Sequence, residues 1–118
     1  MLGRWSEARA AARDALAARD PVVRAWAHWN RGKLDDKAGR YAAAAQAYRR
    51  AIAIARAPGI PEWEARDITA WSLWALGWVA IRTGTSEEAL ARLREASAAA
   101  PSGDAGVHLW IAHGLAHV

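Results

Sequence analysis

Cysteine and phenylalanine are absent from this chain, and the residues that favour β-strands are few. Without cysteine, the chain can form neither a disulfide framework nor a thiolate metal site. Valine, isoleucine and threonine are sparse, and no stretch alternates apolar and polar residues as a half-buried strand does. These absences argue against a disulfide scaffold and against an all-β fold.

A membrane-spanning run and a secretion signal are also missing. The longest apolar stretch, residues 68–81, contains Thr69 and Ser72 and is shorter than the roughly 20 residues that a bilayer requires. Near the first residue, Glu7 and Arg9 interrupt the apolar core that a signal peptide needs. We therefore expect a cytoplasmic protein with no membrane partner.

The residues that are abundant favour helices. Apolar residues make up 53% of the 118 residues, alanine dominates them, and the eight tryptophans supply nearly all of the aromatic surface. Alanine is the best helix former, and this length suits one compact domain. The composition predicts an all-α fold in a single domain, residues 1–118.

The charge pattern does not indicate nucleic-acid binding. Lysine and arginine number 16 and exceed the 12 acidic residues by four. The basic residues are interleaved with acidic ones, as in the segment 92–95, Arg-Leu-Arg-Glu, which is typical of a solvated helix face. We expect no nucleic-acid partner.

Local signals divide the chain into about six helices. Asp20-Pro21 has the pattern of an N-cap followed by proline at the first helical position. Thr85 and Glu88 have the spacing of a capping box, and Gly39 and Gly84 stand where helices end in a left-handed residue. The predicted helices cover residues 5–19, 21–38, 40–56, 62–83, 86–99 and 104–117.

The sequence repeats itself at matched offsets. Gly3, Gly39 and Gly84 are each followed by an alanine five residues later and by another alanine seven residues after that. These alanines are Ala8 and Ala15, Ala44 and Ala51, and Ala89 and Ala96. Upstream, Gly32 and Gly77 each precede the first of these alanines by twelve residues. The offsets predict helix pairs that approach closely at small residues, with Tyr48 and Leu93 filling the space beside each contact.

This pattern resembles the tetratricopeptide repeat, a helix–turn–helix unit of about 34 residues. The best copy of its motif comprises Leu73, Leu76-Gly77, Gly84, Ala89, Leu93, Ala96 and Pro101. The resemblance implies antiparallel helices stacked as a right-handed α-solenoid. It divides the chain into a half repeat, two repeats and a second half repeat, at residues 1–20, 21–58, 59–101 and 102–118.

The copies depart from the family in their spacing and at their ends. The interval from Gly39 to Gly84 is 45 residues, against 36 from Gly3 to Gly39, so we expect an extended helix or a protruding loop between residues 57 and 69. The chain begins inside a repeat and stops after the first helix of another. We therefore expect a segment of a larger bacterial regulator or adaptor, the alternative being a small protein capped by its terminal helices.

In this family the first helix of each repeat lines a concave groove that holds a peptide or partner protein. The resemblance places a set of tryptophan and basic side chains on that groove: Trp26, Trp29, Lys33, Lys37, Trp71, Trp74, Trp78 and Arg82. His108, Ile111 and Leu115 would follow on the last helix. Independently of the family, the tryptophans at 71, 74 and 78 have the spacing of one helical stripe.

Three explanations of the tryptophan stripe remain open at this point. The stripe is a groove for an apolar or proline-rich peptide, with Lys33, Lys37 and Arg82 holding a carboxylate. Alternatively, it is buried within the fold. The third possibility is a homo-oligomer, in which unpaired terminal helices associate through the exposed side of Trp110 and its neighbours.

Catalytic and metal sites are only weakly indicated. His28, Arg31 and Asp35 share one helical face, which fits either a polar small-molecule site or, as we favour, an Arg31–Asp35 ion pair. His113 and His117 have the spacing to reach one metal ion, but no third ligand lies nearby in the sequence. We expect no enzymatic activity, no metal and no cofactor.

Overall fold

The structure, a computed structural model, describes residues 6–11, 13 and 19–118. It contains five bounded helices: α1 (Pro21–Lys37), α2 (Tyr41–Ala55), α3 (Glu62–Arg82), α4 (Ser86–Ala99) and α5 (Ala105–Leu115). Residues 6–11 and 13 are helical as well, and no strand occurs within the described ranges. The all-α prediction is confirmed, and the predicted bounds of these five helices agree to within two residues.

Part of the first predicted helix, 5–19, lies outside the described residues. The same holds for Gly3 and Ala15, two of the positions that define the first half repeat.

The helix ends follow the predicted local signals at three places. The Asp20 Oδ1 atom accepts a hydrogen bond of 2.9 Å from the Val22 N–H and so caps α1. Gly39 and Gly84 have φ angles of 79° and 83°, in the left-handed region that side chains with a Cβ atom rarely adopt. Glycine at these two positions lets α1 and α3 end in tight turns.

The predicted capping box at the start of α4 is wrong. Thr85 is the N-cap residue, but its side chain makes no capping hydrogen bond. The Thr85 hydroxyl instead donates to the Ala80 carbonyl at 3.2 Å, beside the Thr85 N–H, which bonds to the same carbonyl at 3.0 Å. Because the turn at Gly84 brings Thr85 back against the end of α3, the hydroxyl satisfies that helix rather than its own.

The longer second interval of the repeat is explained by helix α3. This helix has 21 residues, against 17 in α1, and a loop separates it from Ala55, the last residue of α2. The extra residues form an additional turn at the start of α3, which brings Arg66 and Asp67 towards the far end of α4.

Glycines mark the closest approach of the helices within each predicted repeat. A Cβ atom placed on Gly32 of α1 would lie 2.6 Å from the Tyr48 ring of α2. A Cβ atom on Gly77 of α3 would lie 2.9 Å from the Leu93 side chain of α4. Tyr48 and Leu93 are themselves buried. The predicted close contacts at Gly32 and Gly77 are therefore confirmed.

The main core is built from α2 and α3 and is completed by α4 and α5. On α3, the predicted core residues Leu73, Leu76 and Ala80 are buried. Val107 and Ile111 of α5 join the same cluster. The opposite side of α3 carries the tryptophan stripe, whose side chains are only half-buried.

Candidate binding surface

Five tryptophans form one continuous strip across three helices, which we call the indole row. Its members are Trp26 and Trp29 of α1, Trp71 and Trp74 of α3, and Trp110 of α5. Successive ring centroids lie 5.6, 6.3, 5.4 and 6.0 Å apart, with the planes inclined by 64° to 85°. These are edge-to-face contacts, in which the positive rim of one ring meets the negative face of the next.

Hydrogen bonds fix the row to the helix backbones. The Trp29 indole donates to the Trp71 carbonyl at 3.3 Å, and the Trp74 indole donates to the Trp110 carbonyl at 3.0 Å. The first bond joins α1 to α3, and the second joins α3 to α5. The row therefore holds alternate helices of the chain together at this surface.

The row is also open to solvent. The first four indoles are half-buried, and the Trp110 side chain is 48% exposed. Clefts of about 310 to 610 Å³ found elsewhere on the described residues are lined by other side chains. The row is thus a packed aromatic strip rather than an empty pocket, and a ligand would lie on it.

Of the two lysines of the predicted site, Lys33 contacts the α1 end of the row, and Lys37 lies one helical turn further along α1. The Lys33 ammonium lies 4.9 Å from the centre of the Trp29 ring, within the range of a cation–π contact. Lys33 and Lys37 are exposed, and both line a cleft of about 500 Å³ between α1 and the helical residues near Ala8 and Ala11. Positive charge is therefore available next to the aromatic strip.

The third predicted basic residue, Arg82, is already engaged. Its Nη1 atom lies 2.6 Å from the Asp36 Oδ2 atom, and its guanidinium lies 5.5 Å from the centre of the Trp78 ring. This ion pair connects α1 with the end of α3. Arg82 thus has a structural contact in addition to its predicted position beside the tryptophans.

Helix α5 is rotated relative to the expectation from the repeat. Ile111 was predicted to face the groove but is buried in the core, together with Val107. Trp110, one residue earlier, takes the place in the row. The helical spacing of Val107, Ile111 and Gly114 could have indicated this rotation. These three residues form the buried face of α5, and Gly114 packs against Leu93.

Trp78 lies apart from the row and packs against two histidines. Its ring centroid is 5.7 Å from that of His113 and 5.3 Å from that of His117, and the two imidazoles are 4.5 Å apart. The Trp78 indole nitrogen is buried and has no hydrogen-bond partner. His113 also contacts Trp110. Both histidines therefore belong to the aromatic surface, and within the described ranges no three metal-ligating side chains come together.

The favoured ion pair between Arg31 and Asp35 is not formed. The Asp35 carboxylate instead pairs with the Arg40 side chain at 3.1 Å, across the turn that ends α1. His28 is half-buried, and its Nδ1 atom has no hydrogen-bond partner. Burial and, after it, the nearby guanidinium groups of Arg50, Arg31 and Arg24 lower the pKa of His28. No contact joins the three predicted polar side chains to one another.

Two carboxyl groups meet beside Trp71, and this pair could not be read from the sequence. Asp104 caps α5 by accepting a 3.1 Å hydrogen bond from the Val107 N–H. Burial, followed by the hydrogen bond that protonated Asp67 donates to Asp104 and by the negative charge of Asp104, raises the pKa of Asp67 to about 6. Arg66, one residue before, donates to the carbonyls of Ala99 and Ala100 at 3.1 and 3.2 Å. These contacts join the extra turn of α3 to the loop between α4 and α5.

The Asp67 pair predicts that the protein loses stability as the pH rises from about 4 to 6. In the unfolded chain Asp67 loses its proton near the ordinary pKa of 3.8, whereas in the folded state it keeps the proton up to about pH 6. Stability therefore falls between these two pH values, and above them the ionised carboxylate opposes folding. Asp67→Asn should remove this dependence and raise the free energy of unfolding at pH 7.5 by about 1–2 kcal/mol, a value reduced for partial exposure. Urea denaturation between pH 4 and 8 measures both effects.

A matched control for this experiment is Asp20→Asn. Asp20 is exposed and caps α1, and asparagine caps a helix about as well as aspartate does. This variant should therefore keep the pH profile of the original protein between pH 4 and 6. If the stability of Asp67→Asn falls between pH 4 and 6 as steeply as that of the original protein, Asp67 is not the group responsible for the pH dependence.

Taken together, the described residues define an all-helical protein whose helices pack against each other and present a half-exposed aromatic strip. None of the described helices combines the length and the apolarity needed to cross a membrane. No protein-family model, no curated protein and no solved structure matches this chain significantly.

Proposed function

We propose that this chain is a tandem helical-repeat protein of the tetratricopeptide type, which binds an extended segment of a partner protein along the indole row. The observation that carries this proposal is the row itself, in which five indoles from three helices contact one another in sequence and remain partly exposed to solvent. Tryptophan is enriched at binding hot spots because it buries a large rigid area and keeps an N–H donor. The role is binding, without catalysis.

The repeat assignment is supported by the pattern of helix contacts. Within each proposed repeat, a glycine of the first helix lies against a large side chain of the second, Gly32 against Tyr48 and Gly77 against Leu93. Between repeats, the indole row joins α1, α3 and α5, which are the first helices of successive units. We infer that antiparallel helix pairs stack in one direction as a right-handed solenoid, with their first helices on the binding side.

The chemistry of the surface selects an apolar or proline-rich segment with an acidic end. Aromatic faces favour rings and aliphatic side chains, and a polyproline segment presents such groups at little entropic cost. At the α1 end, the exposed ammonium groups of Lys33 and Lys37 are placed for a carboxylate. Arg82, held by Asp36, keeps Trp78 in place rather than contacting the ligand first.

A random-peptide display library panned on the full chain tests this function. We expect enrichment of apolar or proline-rich peptides that contain an acidic residue. For an enriched peptide, Trp110→Ala should raise the dissociation constant about tenfold or more, as loss of a hot spot does. Fluorescence anisotropy of the labelled peptide provides the measurement.

The control is Trp63→Ala, because Trp63 is 58% exposed on the first turn of α3 and makes no contact with the row. It should bind the peptide as the original protein does. Lys33→Ala and Lys37→Ala should weaken the binding of acidic peptides more than the binding of the same peptides with the acid replaced by its amide. If no peptide is enriched, or if the two tryptophan variants bind alike, the proposal fails.

A second candidate function is self-association through α5. Its solvent side carries Leu109, which is 70% exposed, together with Trp110 and Leu115, and this makes an apolar face. Leu109→Glu separates the two candidates, because Leu109 is outside the indole row. Sedimentation that shows a monomer at high concentration excludes self-association, whereas a dimer that dissociates in Leu109→Glu supports it.

A further inference from the structure

A cleft rich in arginine lies on the other side of α1 from the tryptophans. It has a volume of about 610 Å³ and is formed by Arg9 and Arg13, on the helical residues before α1, and by the side chains of Arg31, Leu34, Asp35 and Arg40. Compact ligands bind in clefts of this size, which typically hold about 300–1,000 Å³. Arg31 and Asp35 were candidates for a polar site from their helical spacing. The other arginines of the cleft could not be predicted to join them, because the four arginines are separated along the chain by up to 31 residues.

The charge in the cleft is strongly unbalanced. Four guanidinium groups face one carboxylate, and that carboxylate, on Asp35, is paired with Arg40 at 3.1 Å. Within the described part of the chain, Arg9, Arg13 and Arg31 form no ion pair. Other arginines have an acidic partner, as Arg82 has in Asp36 and Arg92 in Glu95. Like charges gathered in this way repel one another unless an anion neutralises them.

The excess of positive charge extends beyond the walls of the cleft. His28 lies one helical turn before Arg31, and burial and, after it, the guanidinium groups of Arg50, Arg31 and Arg24 lower its pKa. An anion approaching α1 from this side therefore meets more guanidinium groups than carboxylates. Opposite charge arranged in this way increases the rate of encounter and the occupancy of a binding site.

We propose that this cleft binds a compact phosphate-bearing group, held by Arg9, Arg13 and Arg31. Guanidinium groups match phosphate oxygens in paired hydrogen bonds, and three of them balance the charge of a di- or triphosphate. Leu34 supplies an apolar edge on which the remainder of the ligand rests. The phosphate belongs either to a small molecule or to a phosphorylated side chain of a partner protein. This site is independent of the indole row.

Calorimetric titration of the full chain at low ionic strength tests the site. The probes are inorganic pyrophosphate and a peptide that contains two phosphoserines. Arg31→Gln and Arg9→Gln should each weaken binding about fivefold to twentyfold, and raising the salt concentration should weaken it further. Asp35→Asn should strengthen binding about threefold, because it removes the one carboxylate of the cleft. Tighter binding of pyrophosphate indicates a small molecule, and tighter binding of the peptide indicates a phosphorylated partner.

Arg94→Gln is the control, since Arg94 is exposed on α4, away from the cleft, and the substitution changes the net charge equally. It should leave binding unchanged. Equal losses in Arg31→Gln and Arg94→Gln would show a general charge effect and overturn the proposal. The same conclusion follows if neither probe binds, or if a 20-nucleotide single-stranded DNA binds more tightly than both probes. Circular dichroism confirms that each variant is folded.

Discussion

Replacing Leu93 with alanine should lower the free energy of unfolding by about 3–4 kcal/mol, the middle of the range for buried leucine. Leu93 is fully buried, and its side chain lies between two helices that both approach it through glycine. Cβ atoms placed on Gly77 of α3 and on Gly114 of α5 would lie 2.9 and 3.0 Å from it. Because this one side chain fills the space between α3, α4 and α5, the surrounding helices cannot collapse onto the cavity without moving apart elsewhere.

A second substitution, Gly77→Ala, tests the packing of α3 against α4 more directly, because its effect on the free energy of unfolding should change sign when Leu93 is removed. In the original protein, Gly77→Ala should lower the free energy of unfolding by about 1–2 kcal/mol, because the added methyl group overlaps Leu93. In the Leu93→Ala background, the same change should raise it by about 0.5–1 kcal/mol. The methyl group then enters the cavity, and alanine is the better helix former.

Chemical denaturation of the four proteins in this cycle, followed by circular dichroism, measures the coupling. Leu109→Ala provides the reference, because Leu109 is 70% exposed on α5 and its loss should cost less than about 0.5 kcal/mol. Additive effects of Gly77→Ala and Leu93→Ala would mean that the two positions are not in contact. The close approach of α3 and α4, on which the repeat assignment depends, would then be wrong.

The sequence was sufficient for those parts of the fold that depend on neighbouring residues. The cap at Asp20 and the left-handed glycines at 39 and 84 act within a few residues of themselves, so their local pattern determines them. The close contacts at Gly32 and Gly77 were also predictable, because the same offsets to Tyr48 and Leu93 occur twice. A repeat gives two observations of each contact.

Some of the features that could not be predicted are choices between two partners that both lie near in the sequence. Asp35 can reach Arg31 along the helix or Arg40 across the turn, and the tertiary geometry selects Arg40. The Thr85 hydroxyl can cap its own helix or satisfy Ala80, and the tight turn selects Ala80. In each case the residue types were correct, but the direction of the side chain depends on how the helix is rotated in the fold.

In the candidate site, too, some positions could be predicted from the sequence and others could not. Helical periodicity placed Trp71 and Trp74 on one stripe of α3. The resemblance to the repeat family placed Trp26, Trp29 and Lys33 of α1 on the same surface, and the structure brings these side chains together there. On α5 the resemblance predicted that Ile111 faces the groove, and this prediction is wrong. Ile111 is the residue that enters the core, because α5 packs through Val107 and Gly114. Meeting points of distant segments, such as Asp67 with Asp104, had no counterpart in the local pattern.

Removing the indole of Trp74, the fourth member of the row, should destabilise the fold, because the row is a structural element as well as a surface. Trp74 contacts the rings of Trp71 and Trp110 at 5.4 and 6.0 Å, and its N–H bonds to the Trp110 carbonyl. Trp74→Ala should lower the free energy of unfolding by about 2–3 kcal/mol, less than a fully buried tryptophan because one side is solvated. Trp63→Ala, which removes an exposed indole outside the row, should cost under about 0.5 kcal/mol.

The contribution of the hydrogen bond can be separated from that of the ring. Trp74→Phe keeps an aromatic ring but leaves the Trp110 carbonyl without its side-chain donor, so it should cost about 1–2 kcal/mol. Combining Trp74→Ala with Trp110→Ala should give a coupling of about 0.5–1.5 kcal/mol for the edge-to-face pair. In hydrogen exchange, the backbone amides of α5 should lose their protection first, since this helix is attached to α3 through these contacts. Equal costs for Trp74→Ala and Trp63→Ala would mean that the row does not join the helices, and a surface without that rigidity would be a poor platform for an extended ligand.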